Sequence, residues 1–238
     1  MPLAVGDFIL IDYTVKIKDE NKVIDTTIED EAKKADIYDE NRIYGPELMV
    51  IGEGWFLKGL EDEIQKFDAG TEATIELPPE KAFGKRDPSK IRTIPARELS
   101  RRGIIPRINS EVEIGGRKGI IKSVGGGRVV VDFNHPLAGK TLVYEVKILK
   151  KLEKPEEKVA GLVHRWIKGL PLDKIKVQVA KTKIKIILPE DVLRYSNIGL
   201  LKSGIARDIS KFFKEISTVE FIERIKIRKE EKSSKPTP

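Results

Sequence analysis

The chain has 238 residues, 39% hydrophobic and 35% charged, with a net charge of +7, which excludes a mainly disordered protein and allows two or three modules with separate cores. With no cysteine and only two histidines, thiol chemistry and a histidine-based metal cage are excluded, and we expect neither metal nor cofactor. No run of about eighteen apolar residues and no signal peptide is visible, so we expect a cytoplasmic protein without membrane contact.

The first elements form a hairpin. Residues 5–18 alternate between apolar and polar side chains, which predicts a strand, and residues 22–27 predict its partner after a polar turn. The acidic, alanine-rich stretch 29–41 has a thin apolar face, so it predicts a short exposed helix or a loop.

The segment 51–64 is the most informative part of the chain. Two glycines precede three bulky apolar residues, Trp55, Phe56 and Leu57, and a helix then begins. Leu60, Ile64 and Phe67 recur at helical spacing and predict that this helix packs on the sheet. Because the segment offers no nucleophile or base, it indicates a pocket that works by shape.

The next stretch contains an insertion. Residues 71–84 predict a strand closed by two prolines, with Phe83 in the loop that follows. Residues 88–131 contain two glycine turns between strand-like runs and predict a compact all-β insert. Residues 141–152 then alternate again and complete the first sheet, so the first module comprises residues 1–87 plus 132–152.

The last module is predicted at residues 155–228. Its pattern indicates a helix, two strands, a second helix and a last strand, followed by a polar, disordered tail at 229–238. The strands of this module carry lysines at alternate positions, so nucleic-acid binding that weakens with salt is an alternative function for it. Basic and acidic residues alternate through most of the chain, however, so a nucleic-acid partner is disfavoured.

The order of these motifs resembles an FKBP-type peptidyl-prolyl cis/trans isomerase. The resemblance is carried by VIDTT, GEGWFLKGLEDE, PPEKAFG and NHPLAGKTLVYEVKIL, and the glycine-rich insert is similar to the SlyD-like, long-chain archaeal kind. It implies an α+β fold: an FKBP-like antiparallel sheet wrapped on a short helix, an inserted all-β (insert-in-flap) domain and a C-terminal α+β domain. Few glutamines and abundant Lys, Glu and Ile are typical of thermophilic proteins.

The resemblance also implies a prolyl pocket and its residues. Catalytic roles fall to Tyr13, Asp25, Phe56, Leu57, Phe83 and Tyr144, and further contacts to substrate fall to Ile24, Leu60 and Leu137. Leu60 replaces a tryptophan that is common in the family, Ile24 a phenylalanine and Phe83 a tyrosine. Without the resemblance, the apolar members would be assigned to core packing and Asp25 to a turn.

The implied function is prolyl isomerisation combined with a chaperone activity on unfolded, proline-containing polypeptides. The insert has more isoleucines than a module of its size can easily bury, so an exposed groove for clients is expected from Ile91, Ile94, Ile104, Ile105 and Ile108. A holdase with little isomerase turnover is the alternative. For the C-terminal module, the family suggests a role in homodimerisation.

Overall fold

The computed structural model describes residues 2–225, and the predicted tail at 229–238 lies outside that range. The strands are β1 Phe8–Ile17, β2 Lys22–Thr26, β3 Glu47–Val50, β4 Glu72–Leu77, β5 Ile91–Pro95, β6 Glu111–Ile114, β7 Arg117–Gly125, β8 Arg128–Asp132, β9 Leu142–Leu152, β10 Lys176–Val179, β11 Lys183–Leu188 and β12 Thr218–Glu223. The α-helices are α1 Glu29–Lys34, α2 Lys58–Ile64, α3 Ala96–Arg101, α4 Pro155–Trp166 and α5 Ile198–Phe212. The fold is therefore α+β, with few helices, as predicted.

The main sheet has the order β2-β1-β9-β4, and β3 pairs with the first half of β1. All of its strand pairs are antiparallel. The strand β9 follows the insert in sequence, yet it lies between β1 and β4, which precede the insert. The sheet is thus completed only after the chain has returned from residues 88–131.

Both faces of the main sheet are covered. On one face, Ile9, Ile11 and the other inward residues of β1 pack with α2 in one hydrophobic cluster. On the other face, Phe8 and Leu10 join the helices of the C-terminal region, residues 155–225, in a second cluster. Gly161 lets α4 approach closely, because a Cβ there would lie 2.8 Å from a side-chain atom of Leu152.

The insert forms a separate four-stranded sheet in the order β5-β8-β7-β6. The all-β prediction is wrong in one respect, since α3 packs on this sheet and buries Leu99 completely. This helix follows Pro95, and its residues are mostly good helix formers. Its single turn and a half is too short to produce a recognisable apolar period in the sequence.

A polar network joins the insert to the main sheet. Arg86 donates to Asp132, whose other oxygen accepts from the side-chain amide of Asn134 at 2.7 Å. Asn134 in turn accepts from the backbone N–H of Asp87 and donates to its carbonyl, each at 2.9 Å. Because Asp132 and Asn134 are buried, the two connecting segments are tied to each other directly.

The C-terminal region contains the predicted elements. Its sheet has the order β10-β11-β12, and β12 runs parallel to β11. Both helices bury an apolar face in the cluster that also holds Phe8 and Leu10. In the range 2–225, no helix combines the length and the apolar character that crossing a bilayer requires.

Candidate functional site

The eight apolar residues predicted for the prolyl pocket lie in one cluster beside α2. Leu60, Tyr13 and Tyr144 are buried, and the rest are partly buried: Ile24, Phe56, Leu57, Phe83 and Leu137. They come from β1, β2, the start of α2, the loop after β4, the return from the insert, and β9. Residues far apart in the sequence therefore pack into one apolar cluster.

Three aromatic rings of this cluster contact one another. The ring of Phe56 meets Tyr13 edge to face, with centroids 6.1 Å apart and an interplanar angle of 88°. Tyr144 lies at the same centroid distance from Tyr13, tilted by 49°. Such ring contacts favour fixed ring orientations, which suits a site that recognises an apolar group by its shape.

Asp25 lies next to this cluster and is hydrogen-bonded to it through Tyr13. One carboxylate oxygen accepts from the hydroxyl of Tyr13 at 2.9 Å, and the other accepts from Arg42 and from the backbone N–H of Thr26. The residue is thus more than the turn former that its local sequence suggests. Arg42 was not predicted, because it lies in the irregular segment between α1 and β3, with no motif around it.

The two tyrosine hydroxyls remain protonated donors. Burial raises the pKa of Tyr13, and the charges of Glu47 and Asp25 raise it further. Burial raises the pKa of Tyr144 to about 12, with a smaller contribution from Asp25. Within residues 2–225, no group forms a hydrogen bond with the Tyr144 hydroxyl, so this hydroxyl is free to donate to a substrate.

Glu61 organises the loop that carries the apolar residues. Its carboxylate accepts from the backbone N–H groups of Gly52 at 2.9 Å, Gly54 at 3.2 Å and Phe56 at 3.1 Å. The side chain is 3% exposed, on the first turn of α2. Sequence reasoning missed this residue because an acidic residue early in a helix usually faces solvent.

Two contacts place Phe83 and Leu137. A Cβ on Gly59 would lie 2.3 Å from the carbonyl oxygen of Lys81, so glycine lets α2 approach the loop that carries Phe83. The ring of His135 stacks on Phe83 at 4.2 Å, and its Nδ1 accepts from the backbone N–H of Leu137 at 3.2 Å. In the sequence, His135 stands between Asn134 and Pro136, and such a tight turn favours a structural role for the histidine.

Two family descriptions match this chain. The one described as "FKBP26, IF domain" matches residues 92–137, and the one described as "FKBP26_C-terminal" matches residues 155–226. The chain is 35% identical over 143 residues to the short-type peptidyl-prolyl cis-trans isomerase of Methanocaldococcus jannaschii, a match that spans 60% of this chain and 90% of that protein. The chain belongs to the FKBP-type peptidyl-prolyl cis-trans isomerases.

Bacterial relatives are similar over comparable lengths. The SlyD isomerase of Treponema pallidum is 31% identical over 160 residues, which cover 63% of this chain and 87% of the relative. The FKBP-type 16 kDa isomerase of Escherichia coli is 31% identical over 116 residues, 44% of this chain and 73% of the relative. The resemblance seen in the motifs is therefore confirmed.

In this FKBP-type chain, the predicted groove residues of the insert divide into two groups. Ile105 and Ile108 are 77% and 60% exposed, and Ile91 is also exposed. Ile94 is buried in the insert's own core, and Ile104 packs partly against it. Ile94 is 9% exposed and borders an open hollow with Ile114 and Phe133, so its contact with substrate stays a prediction.

Proposed function

We propose that this chain accelerates cis-trans isomerisation of X-Pro bonds in polypeptides by binding the proline ring among Tyr13, Phe56 and Tyr144. One observation carries the proposal: in an FKBP-type chain, all the apolar residues expected around the proline pack in one cluster, and Asp25 accepts a hydrogen bond from Tyr13 of that cluster. Tyr13 and Asp25 thereby form a polar edge. The free hydroxyl of Tyr144 is the donor that we assign to a substrate carbonyl.

The physical chemistry needs no nucleophile. Rotation about the X-Pro bond meets a barrier of ~20 kcal/mol, because amide resonance is lost at the twisted transition state. The twisted imide has less charge separation than the planar form, so a dry apolar pocket stabilises it better than water does. A thousandfold to millionfold acceleration requires about 4 to 8 kcal/mol of such differential stabilisation.

An NMR exchange experiment on a short proline peptide tests the proposal. We expect the full chain to exchange cis and trans populations much faster than buffer does. The double variant Asp25→Ala with Phe56→Ala should lose most of this acceleration, since it removes both the polar edge and one aromatic wall. Exchange at the buffer rate with the unaltered chain would remove the isomerase proposal.

We further propose that the insert binds unfolded clients. Ile105 and Ile108 offer two exposed apolar side chains on the segment between α3 and β6, which can contact an extended chain. Because the insert is joined to the main sheet by short, tied segments, a bound client reaches an effective concentration on the order of millimolar at the pocket.

A holdase with little turnover is the second candidate. The double variant Ile105→Ser with Ile108→Ser should suppress aggregation of a denatured client less well than the unaltered chain. If the pocket variant Asp25→Ala with Phe56→Ala suppresses aggregation fully, capture is independent of catalysis. Equal suppression by the Ile105→Ser, Ile108→Ser variant would contradict a role for these residues.

We also infer a division into an FKBP-like domain of residues 1–87 plus 132–152, an insert at 88–131 and a C-terminal domain at 155–228. The strand β12 is an edge strand of its sheet, which supports the proposal that a second copy pairs with it. Sedimentation over a range of concentrations tests this assembly. A single species of 26.9 kDa throughout would exclude dimerisation.

A further inference from the structure

A cleft lies beside the proposed prolyl site, between the FKBP-like part and the C-terminal region. This Trp55 cleft has a volume of about 350 Å³. Its walls are the segment 43–48, Trp55 and Phe56 on one side, and His164–Trp166, Lys168 and Gly169 on the other. Neither the motifs nor the family comparisons assign a role to it.

The chemistry of the Trp55 cleft is apolar inside and charged at one rim. Ile43, Tyr44 and Trp55 supply aliphatic and aromatic walls, and Ile43 is 47% exposed although it is a large apolar residue. The guanidinium carbon of Arg165 lies 3.7 Å from the centroid of a Trp55 ring. Arg165 also pairs with Asp208 at 3.3 Å, so the cleft offers a ligand mainly its aliphatic and aromatic walls, which suit a large apolar or aromatic side chain.

Polar ties hold the two walls in place. His164 bridges them, with Nδ1 2.8 Å from the carbonyl oxygen of Leu170 and Nε2 2.9 Å from that of Pro46. Lys168 pairs with Glu47 across the cleft at 2.8 Å. The cleft is therefore a fixed part of the fold, so binding a side chain there requires little ordering of the protein.

Phe56 connects the Trp55 cleft to the prolyl pocket. Its ring contacts Tyr13 in the pocket and also lines the cleft, so about the thickness of one side chain separates the two sites. Successive residues of an extended peptide advance by about 3.3 Å, so a residue close to the proline reaches the cleft while the proline is bound. Phe56 is itself held by Glu61.

We propose that the Trp55 cleft is a specificity subsite that binds a large apolar or aromatic side chain of the same polypeptide whose proline occupies the prolyl pocket. The C-terminal region thereby takes part in substrate selection. This inference rests on the proposed isomerase function. It adds that sequence context near the proline is recognised by residues outside the FKBP-like part.

Peptides that differ only in one residue near the proline test the inference with the full chain. Each peptide of one set carries a single phenylalanine, at one of three positions before or after the proline. Each peptide of the matched set carries alanine at the same position. We expect kcat/KM to be about fivefold to twentyfold higher for phenylalanine at one of these positions, a range typical of one apolar side chain in a pocket. Ile43→Trp, which fills the cleft from an exposed position, should reduce that ratio to about one.

Leu193→Trp is the matched control, because Leu193 is also an exposed apolar residue but does not line the cleft. It should keep the ratio of the unaltered chain. A ratio near one in the unaltered chain, or a ratio unchanged by Ile43→Trp, would overturn the inference. If the unaltered chain does not catalyse isomerisation at all, the isomerase function is refuted. Binding in the cleft can then still be detected, because the phenylalanine peptide should shift the NMR signals of the Gly45 and Gly169 amides.

Discussion

Replacing Glu61 by alanine should destabilise the chain more than any ordinary surface substitution. The carboxylate accepts three backbone hydrogen bonds and is 3% exposed, so its removal leaves three N–H groups without a partner. Hydrogen bonds to a charged group contribute about 1.5 to 3 kcal/mol each, and they are not additive. Allowing for partial hydration of the loop, we expect a loss of about 3 to 5 kcal/mol, or roughly 6 to 20 °C in Tm.

Thermal unfolding and amide hydrogen exchange measure this effect. The N–H groups of Gly52, Gly54 and Phe56 should exchange faster in Glu61→Ala, and kcat/KM should fall because Phe56 and Leu57 lose their fixed positions. Glu61→Gln keeps one acceptor oxygen and should lose about half as much stability.

Asp62→Ala is the control for this prediction, since Asp62 is the exposed neighbour of Glu61 on the same helix. Its effect should stay within about 0.5 kcal/mol. If Glu61→Ala unfolds as the control does and its loop amides stay protected, the proposed role of the carboxylate as the organiser of the loop is wrong.

Two further predictions concern catalysis and pH. Tyr144→Phe should lower kcat/KM about tenfold by removing one hydrogen bond to substrate, and adding Phe83→Tyr should restore part of it; an unchanged exchange rate would contradict this. Burial acts to raise the pKa of Asp132, but hydrogen bonds from Asn134 and the charge of Arg86 outweigh burial and lower it below 3.8. The network it anchors should therefore be intact above about pH 4 and weaken only as the pH falls through the lowered pKa; loss of protection of the Asn134 amide at about pH 6, measured relative to the intrinsic exchange rate at that pH, would refute this.

The main sheet could be predicted because apolar residues alternate along its strands and so indicate which face of each strand is buried. Alternation along residues 141–152 places Leu142, Tyr144, Val146 and Ile148 on one face, and these residues do lie in one cluster. The sequence predicts less clearly that the other face of the sheet, with Phe8 and Leu10, is also buried. The unbroken apolar run at Phe8–Ile11 is typical of a strand buried on both sides, which is what the C-terminal helices produce.

The polar parts of the site could not be predicted in the same way. Arg42 reaches Asp25 across 17 residues, and Glu61 binds a loop that precedes it, so neither contact has a periodic signature. Which isoleucines of the insert face solvent depends on the element that carries them, since Ile94 lies on β5 and Ile105 in the irregular segment between α3 and β6. Ile94 and Ile105 look equivalent in the sequence, yet one is 9% and the other 77% exposed.

The strand β1 belongs to two hydrophobic cores, since Ile9 and Ile11 face α2 while Phe8 and Leu10 face the C-terminal helices. The C-terminal region is thus part of the packing of the main sheet, because it covers Phe8 and Leu10. A shorter relative needs polar side chains where this chain has Phe8 and Leu10, or another layer on that face. Proteolytic loss of the region would leave an aggregation-prone sheet and not a minimal isomerase.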